Sequence, residues 1–166
     1  MDVDKLGFGD LSGSLGPVEK WPIGRLFALA SRQAGPVVWR LIERHGISPA
    51  GFFTLRLLIT AEDGLRPGEI AKRLLITPAS VTSVVDTLER NGHVERRRSE
   101  HDRRAVLVHA TDAGRRLMAE KGRPIGEDLW HLYDVVDPED EPAVRRFLLR
   151  LIERFESYSE TKGDGA

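Results

Sequence analysis

The chain has 166 residues, of which 40% are hydrophobic and 31% charged, and its formal net charge is −1. This composition is typical of an ordinary globular protein, and the longest fully apolar runs are far shorter than the roughly 20 residues that cross a bilayer. Because the chain has no cysteine, disulfides, thiolate metal sites and thiol nucleophiles are excluded. The N-terminal stretch is acidic and Gly-rich, with no secretory signal, so we expect a cytoplasmic protein.

The first third of the chain is predicted to be a flexible arm followed by two long helices. Residues 1–19 form the arm, and apolar residues at helical spacing predict a helix from about Trp21 to His45. Gly35-Pro36 interrupts that spacing and predicts a kink or two abutting helices. Ser48-Pro49 is an N-cap followed by proline, which predicts a largely buried helix to about Ala61.

Two shorter helices follow, separated by a tight turn. Pro67 opens the first, PGEIAKRLL, and Thr77-Pro78 repeats the cap-plus-proline signal for the second. The second helix ends at Asn91-Gly92, a left-handed stop signal. One of its faces is apolar, and the opposite face carries small, mostly polar residues: Ala79, Ser80, Thr82, Ser83, Asp86 and Thr87.

The remaining elements are a hairpin and two long helices. Val94–Arg98 and Ala105–His109 are short β-competent segments joined by about six polar residues. Thr111 caps a helix that Gly122, Pro124 and Gly126 should bend. Asp137-Pro138 is expected to open the last helix.

This order of elements predicts a mainly α fold with a small β-hairpin wing, a winged helix-turn-helix lobe at 48–110. Residues 20–47 and 111–160 then form a helical dimerisation region, and 161–166 a flexible C-terminus. The flanking helices carry more apolar surface than the lobe can cover, so we expect a homodimer. The residues predicted at its interface are Phe147, Leu148, Leu151 and Phe155.

Positive charge is concentrated in residues 66–104, which hold nine Lys and Arg against six Asp and Glu. A local excess of this sign, within a slightly acidic chain, indicates a surface that faces a polyanion. The short side chains of Ser80, Thr82 and Ser83 suit contact with base edges in a DNA major groove, although plain solvent exposure is an equal alternative for each. Thr77 and the helix N-terminus suit a phosphate oxygen.

Five arginines surround the hairpin tip. Arg96, Arg97 and Arg98 are expected along the stem, where phosphates pass, and Arg103 or Arg104 in the neighbouring minor groove. Asp102 is interpreted as holding one arginine by a charge-assisted hydrogen bond. The alternative for the stem arginines is a solvated charged surface.

Three stretches, EIAKRL, TPASVTSVVDTLERNGHVERR and DRRAVLVHATDAG, resemble the core of the MarR (multiple antibiotic resistance regulator) family, which comprises bacterial dimeric winged-helix transcription factors. The resemblance covers about 50 contiguous residues. It implies a repressor or activator of a pseudo-palindromic operator, a recognition face from Ser80 to Thr87, and Arg104 as the minor-groove arginine. The chain departs from the family pattern at Gly35-Pro36, at Gly122-Arg123-Pro124 and in its long N-terminal arm.

The resemblance also implies release from DNA by a small aromatic or anionic effector, bound between the dimer platform and the DNA lobe. Aromatic walls with nearby cations suit such a ligand. The alternatives are that Trp39 and His45 belong to the core or an interface, and that Arg25 and Arg32 are solvated. By position, the candidates are Trp21, Arg25, Arg32, Trp39 and His45.

Catalysis and metal binding have little support in the sequence. The five histidines form no metal-ligand spacing, and no nucleophile elbow, P-loop or dinucleotide fingerprint occurs, so we expect no enzyme, metal or cofactor. A winged-helix module that contacts only proteins remains the alternative to a DNA reader. The two differ in the salt dependence of duplex binding.

Overall fold

The computed structural model describes residues 17–99 and 105–161, the last three by backbone alone. Over these ranges it contains six α-helices and one antiparallel hairpin, which confirms the predicted fold class. No helix in the described ranges is long and apolar enough to span a membrane. After a 3₁₀ turn at Val18–Lys20, the elements are α1 (Ile23–Arg44), α2 (Pro49–Ile59), α3 (Pro67–Leu74), α4 (Pro78–Arg90), β1 (Val94–Arg98), β2 (Val106–Ala110), α5 (Asp112–Tyr133) and α6 (Glu141–Thr161).

Helix α1 is continuous through Pro36, so the expectation of two abutting helices at this position is wrong. Proline removes one hydrogen-bond donor but does not end the helix here. Leu41 and Ile42, which follow Pro36 in the helix, are buried, and their packing stabilises the C-terminal half of the helix.

Helix α2 lies at the centre of the core, as its apolar sequence predicts. Ser48 caps it, because the Ser48 hydroxyl accepts a hydrogen bond from the Gly51 backbone N–H at 3.1 Å. Phe52, Leu55 and Leu58 have no solvent exposure. This helix is therefore the fixed element against which the neighbouring helices pack.

Helices α3 and α4 form the helix-turn-helix. The turn between them begins at Leu75, whose backbone is left-handed (φ 54°, ψ 39°) and whose side chain is 91% exposed. Thr77 then caps α4 by accepting from the Ser80 N–H at 3.1 Å. Ile70 on α3 and Val81 and Val85 on α4 are buried, and helix packing of this kind fixes the angle between two helices.

Strands β1 and β2 pair in a register that places Arg96 opposite Val108 and Arg98 opposite Val106. The second strand runs from Val106 to Ala110, one residue later than predicted. Leu65, just before α3, exchanges two backbone hydrogen bonds with Val108 and so pairs with the other edge of β2. The hairpin is thereby anchored to the helix-turn-helix by backbone bonds as well as by side chains.

Helix α5 begins after Thr111, whose hydroxyl accepts from the Gly114 N–H at 3.1 Å, which confirms the predicted cap. It continues unbroken through Pro124 to Tyr133. The contacts between residues divide the chain into two compact units, and the boundary falls within this helix. The first unit ends at Ile125 and the second begins at Gly126. The first unit contains the helix-turn-helix and the hairpin.

The second unit contains the end of α5 and the last helix, α6. This helix begins at Glu141, so its predicted start at Asp137-Pro138 is wrong. A turn at 138–140 precedes it, with the Asp137 carbonyl accepting from the backbone N–H groups of Asp140 and Glu141. None of the described side chains of α6 is buried.

Candidate nucleic-acid interface

Helix α4 has one buried and one exposed face. Val81, Val85 and Leu88 are buried against the core. The opposite face is exposed and presents the predicted DNA-contact residues: Thr77, Ser80, Thr82, Ser83 and Thr87. Their short side chains would let the helix backbone approach a ligand closely, as a major groove of roughly 12 Å width requires.

The hydroxyl groups on this exposed face differ in their partners. Thr82 donates to the Pro78 carbonyl at 3.1 Å, and Thr87 donates to the Ser83 carbonyl at 2.9 Å. The Thr77 and Ser80 hydroxyls lie 2.8 Å apart in the N-cap. Within the described part of the chain, the Ser83 hydroxyl has no hydrogen-bond partner, so both its donor and its acceptor capacity are available to a ligand.

The N-terminus of α4 offers backbone donors as well. Pro78 occupies the first position of the helix and has no N–H, and the Ser80 N–H is taken by the Thr77 hydroxyl. The Ala79 N–H, in the first turn, lacks an intrahelical acceptor. This N–H and the helix dipole favour an anion such as a phosphate oxygen at this end of the helix.

Arg96 joins the hairpin to α4. Its Nη2 donates to Asp86 Oδ1 at 2.6 Å, its Nη1 donates to Glu89 Oε2, and its backbone N–H donates to Glu89 Oε1 at 3.0 Å. Partial desolvation lowers the pKa of Arg96, but these hydrogen bonds and the two negative charges outweigh it, so that the pKa is raised. The expectation that Arg96 faces phosphates is therefore wrong, because its guanidinium is committed to α4.

The other two stem arginines lie on opposite faces of β1, because side chains alternate along a strand. Arg98 shares the face of Arg96, on the side of α4, and within the described residues it forms no ion pair. Arg97 lies on the other face and pairs with Glu95, and both arginines line a polar cavity with Glu62 and Asp63. Of the two, Arg98 has the better environment for a phosphate contact. The remaining predicted wing residues, Asp102, Arg103 and Arg104, lie outside the described residues.

The five effector candidates do not line one cavity. Arg25 stacks over the Trp21 ring, 5.6 Å from its centroid, at the start of α1. Trp39 lies 14 residues further along α1, roughly 21 Å from Arg25 along the axis at about 1.5 Å per residue. Arg32 is exposed and His45 half-buried.

Trp39 lines a cavity of about 480 Å³ between α1, α2 and α3. Trp39 is 60% exposed, and Phe53 is a second aromatic residue in the lining of this cavity. Arg73 and Glu43 supply the charged groups. Sequence reasoning missed Phe53 and Arg73, because their approach to Trp39 depends on how three separate helices pack.

The predicted interface residues on α6 are not part of the core of a single chain. Phe147 and Leu151 are half-buried, while Leu148 and Phe155 are 39% and 55% exposed. Within the second unit, a cavity of about 580 Å³ is lined by Trp130, Tyr133, Val136, Val144, Leu148 and Leu149. We interpret these exposed apolar side chains as an interaction surface rather than a solvated helix face.

In the described part of the chain, no group of three or more His, Asp or Glu side chains could hold a metal ion. The exposed face of α4 and the arginine-bearing hairpin beside it are instead the features of a winged helix-turn-helix protein. A family model described as MarR family matches residues 45–105, the same region of the chain. Together with the relatives and structures below, this match supports a MarR-family winged-helix regulator.

Two curated relatives come from Bacillus subtilis. The uncharacterised HTH-type transcriptional regulator YkoM is 38% identical over 90 residues, 54% of this chain and 58% of YkoM. The HTH-type transcriptional repressor YetL is 35% identical over 86 residues, 51% of this chain and 52% of YetL. The chain thus spans between a half and three fifths of the length of these relatives.

Solved structures extend the similarity beyond the lobe. Wild-type apo MarR from E. coli is 27% identical with a TM-score of 0.65, covering 80% of this chain and 97% of MarR. The MepR–DNA complex from S. aureus is 22% identical with a TM-score of 0.66, covering 81% of this chain and 98% of MepR. At that identity, the likeness to MepR concerns the fold.

Proposed function

We propose that this protein is a sequence-specific, double-stranded-DNA-binding transcriptional regulator that acts as a homodimer on a pseudo-palindromic operator. The observation that carries the proposal is the exposed face of α4, on which Ser83 has a hydroxyl without a partner in the described residues. Arg98 stands on the α4 side of the adjoining strand. One surface therefore offers both a group that reads bases and a cation that binds phosphate.

The direction of control is proposed to be repression, as in the relative named a transcriptional repressor, YetL. Thr77, Ser80, Thr82, Ser83 and Thr87 are the proposed DNA contacts of α4, with Arg97 and Arg98 in the wing stem. Arg103 and Arg104, with Asp102 to hold one of them, remain proposed wing contacts from the sequence alone, because they lie outside the described residues. Both copies in a dimer present the same surface, which requires two half-sites in the DNA.

The primary test is duplex binding. Duplexes selected by the purified chain from a random-sequence pool should share a two-fold symmetric motif. Their affinity should fall steeply with salt, with a log–log slope of about −0.9 for each phosphate contact. The alternative, a winged-helix module that contacts only proteins, predicts no selected motif and no duplex affinity at low salt.

Ser83→Ala tests the proposed base contact. It removes a hydroxyl that has no partner within the described residues, so the fold should be unaffected while discrimination between the selected duplex and its base-substituted versions falls by about 1 kcal/mol. Competition binding measures this difference.

Ser80→Ala is the comparison for Ser83→Ala: both hydroxyls lie on the proposed DNA-contact face, but Ser80→Ala should relax base discrimination by less. It removes a hydroxyl that lies 2.8 Å from that of Thr77 within the N-cap. If Ser80→Ala relaxes base discrimination and Ser83→Ala does not, Ser83 is not a base reader.

The cavity beside Trp39 is the proposed effector site. Its aromatic walls, Trp39 and Phe53, suit a planar ring, and Arg73 suits an anionic substituent. A ligand here would contact both α1 and the first helix of the helix-turn-helix, and could shift the lobe between two arrangements only by binding one of them more tightly. Calorimetric titration with aromatic carboxylic acids, repeated with Trp39→Ala, tests this site. Absence of binding by every such acid would contradict it.

A further inference from the structure

We propose that Arg96 is a positioning residue that fixes the wing against α4, so that the two DNA-reading elements meet a duplex as one rigid surface. This inference rests on the proposed DNA binding. It assigns Arg96 a role distinct from that of the neighbouring arginines, which face solvent.

The contacts of Arg96 join two elements at three points. The guanidinium spans Asp86 and Glu89, which are three residues apart and so lie on the same side of α4. The Glu89 carboxylate also accepts the backbone N–H of Arg96 at 3.0 Å. Because both the main chain and the side chain of β1 are held, rotation or sliding of the strand along the helix breaks several bonds together.

The position of Arg96 along the strand suits this role. Val94, at the root of β1, is buried, whereas Arg97 and Arg98 are exposed. Arg96 lies at the change from buried to exposed strand, with a side chain that is 30% exposed. A tether at this point constrains the direction in which the outer part of the hairpin leaves the core.

The same contacts keep the Arg96 charge away from DNA. Asp86 and Glu89 belong to the helix proposed to read the bases, and two free carboxylates there would repel phosphates. Arg96 neutralises part of this charge, and each of its terminal nitrogens donates to one of the two carboxylates. It should therefore affect affinity through geometry and by screening these two carboxylates, and not through a phosphate contact of its own.

This distinction can be measured with Arg96→Ala and Arg98→Ala, using the duplex selected by the parent chain and a scrambled duplex of the same composition. Arg96→Ala should weaken binding to the selected duplex by about tenfold or more, with the salt slope unchanged. Arg98→Ala should weaken binding to both duplexes, and its slope should be shallower by about 0.9.

Conservative variants guard against a general folding defect. Asp86→Asn keeps Glu89 and the size of the side chain, so it should produce a smaller loss for the selected duplex with the same slope as the parent. Arg96→Lys keeps the charge but cannot hold both carboxylates with one planar fork, so it should fall between Arg96→Ala and the parent. Without DNA, amide hydrogen exchange should rise in β1 and β2 of Arg96→Ala and remain at the parent rate in α2.

Three results overturn the inference. A shallower salt slope for Arg96→Ala identifies it as a phosphate contact. Unchanged affinity and unchanged exchange in the wing show that the tether does nothing. A parent chain that binds no duplex refutes the proposed function and, with it, the DNA role of Arg96, whereas faster wing exchange in that case would still report the tether itself.

Discussion

Gly114 shows how closely the start of α5 approaches the chain before the hairpin. A Cβ atom at this residue would lie 2.2 Å from the His93 carbonyl oxygen and 3.1 Å from a Leu55 methyl carbon. The first distance is far below van der Waals contact, and the obstacle is backbone. Glycine is therefore required here by space and not by an unusual φ angle.

Gly114→Ala should consequently destabilise the protein by about 2 kcal/mol or more, because backbone must move to admit the methyl group. The matched control is Gly122→Ala in the same helix, where the new methyl would meet Met118 Cε at an ordinary 3.6 Å. That variant should be neutral, or more stable by up to about 1 kcal/mol. Urea unfolding of both variants measures the difference, and equal stabilities would refute the close approach.

Thr54 is a second residue at which one side chain by itself lowers the stability of the fold. Its side chain is 1% exposed, and its hydroxyl has no hydrogen-bond partner within the described residues. Burying such a group without a partner is unfavourable, so Thr54→Val should raise the free energy of unfolding by about 1 kcal/mol. Thr60→Val, which removes an exposed hydroxyl that donates to the Leu57 carbonyl, should give no gain. A loss of stability in Thr54→Val would show that the hydroxyl has a partner after all.

At the scale of elements, local signals were predicted well because local chemistry determines them. Ser48, Thr77 and Thr111 all cap helices as the sequence indicates, since a hydroxyl at an N-cap needs only the next three residues to find its partner. The stop at Gly92 is also confirmed, with a φ of 72°.

Signals that depend on tertiary packing were predicted less well. Pro36 does not divide α1, because buried residues on both sides of it support one helix. Arg96 was expected to lie near phosphates together with Arg97 and Arg98. Three consecutive arginines do not by themselves show which of them faces α4. Strand alternation, together with the acidic residues Asp86 and Glu89 three apart, could have indicated it.

The alternation along β1 leads to a prediction for the wing. Arg98→Ala should reduce the salt slope of duplex binding by about 0.9, whereas Arg97→Ala should reduce it by less, because Arg97 is paired with Glu95 and Arg98 forms no ion pair within the described residues. Affinities at several salt concentrations measure both slopes. Equal reductions would mean that both faces of the strand meet phosphates, and the reverse order would contradict the assignment.

At the scale of the whole molecule, α6 is the helix whose apolar face is left exposed in a single chain. Its apolar residues Leu148, Ile152 and Phe155 are all more than a third exposed. We interpret this face as the one that pairs with a second copy. The domain boundaries predicted from sequence, with 20–47 and 111–160 as the dimerisation region, remain a prediction.

Phe155→Glu should therefore weaken self-association, because it places a charge in the proposed apolar interface. Arg150→Glu introduces the same side chain on the opposite face of α6 and should leave association unchanged. Sedimentation over a range of concentrations measures both variants. A parent chain that remains monomeric at every concentration would contradict the proposed dimer.

The exposed face of α6 also has a consequence for the life of the protein in a cell. If only pairing covers this face, folding and assembly form a single equilibrium, and the fraction of intact protein depends on how much of it is made. Scarce copies would spend more time unpaired and open to proteases, while abundant copies would protect one another. Turnover would then fall as expression rises, and the thermal midpoint would increase with the amount of protein in the sample.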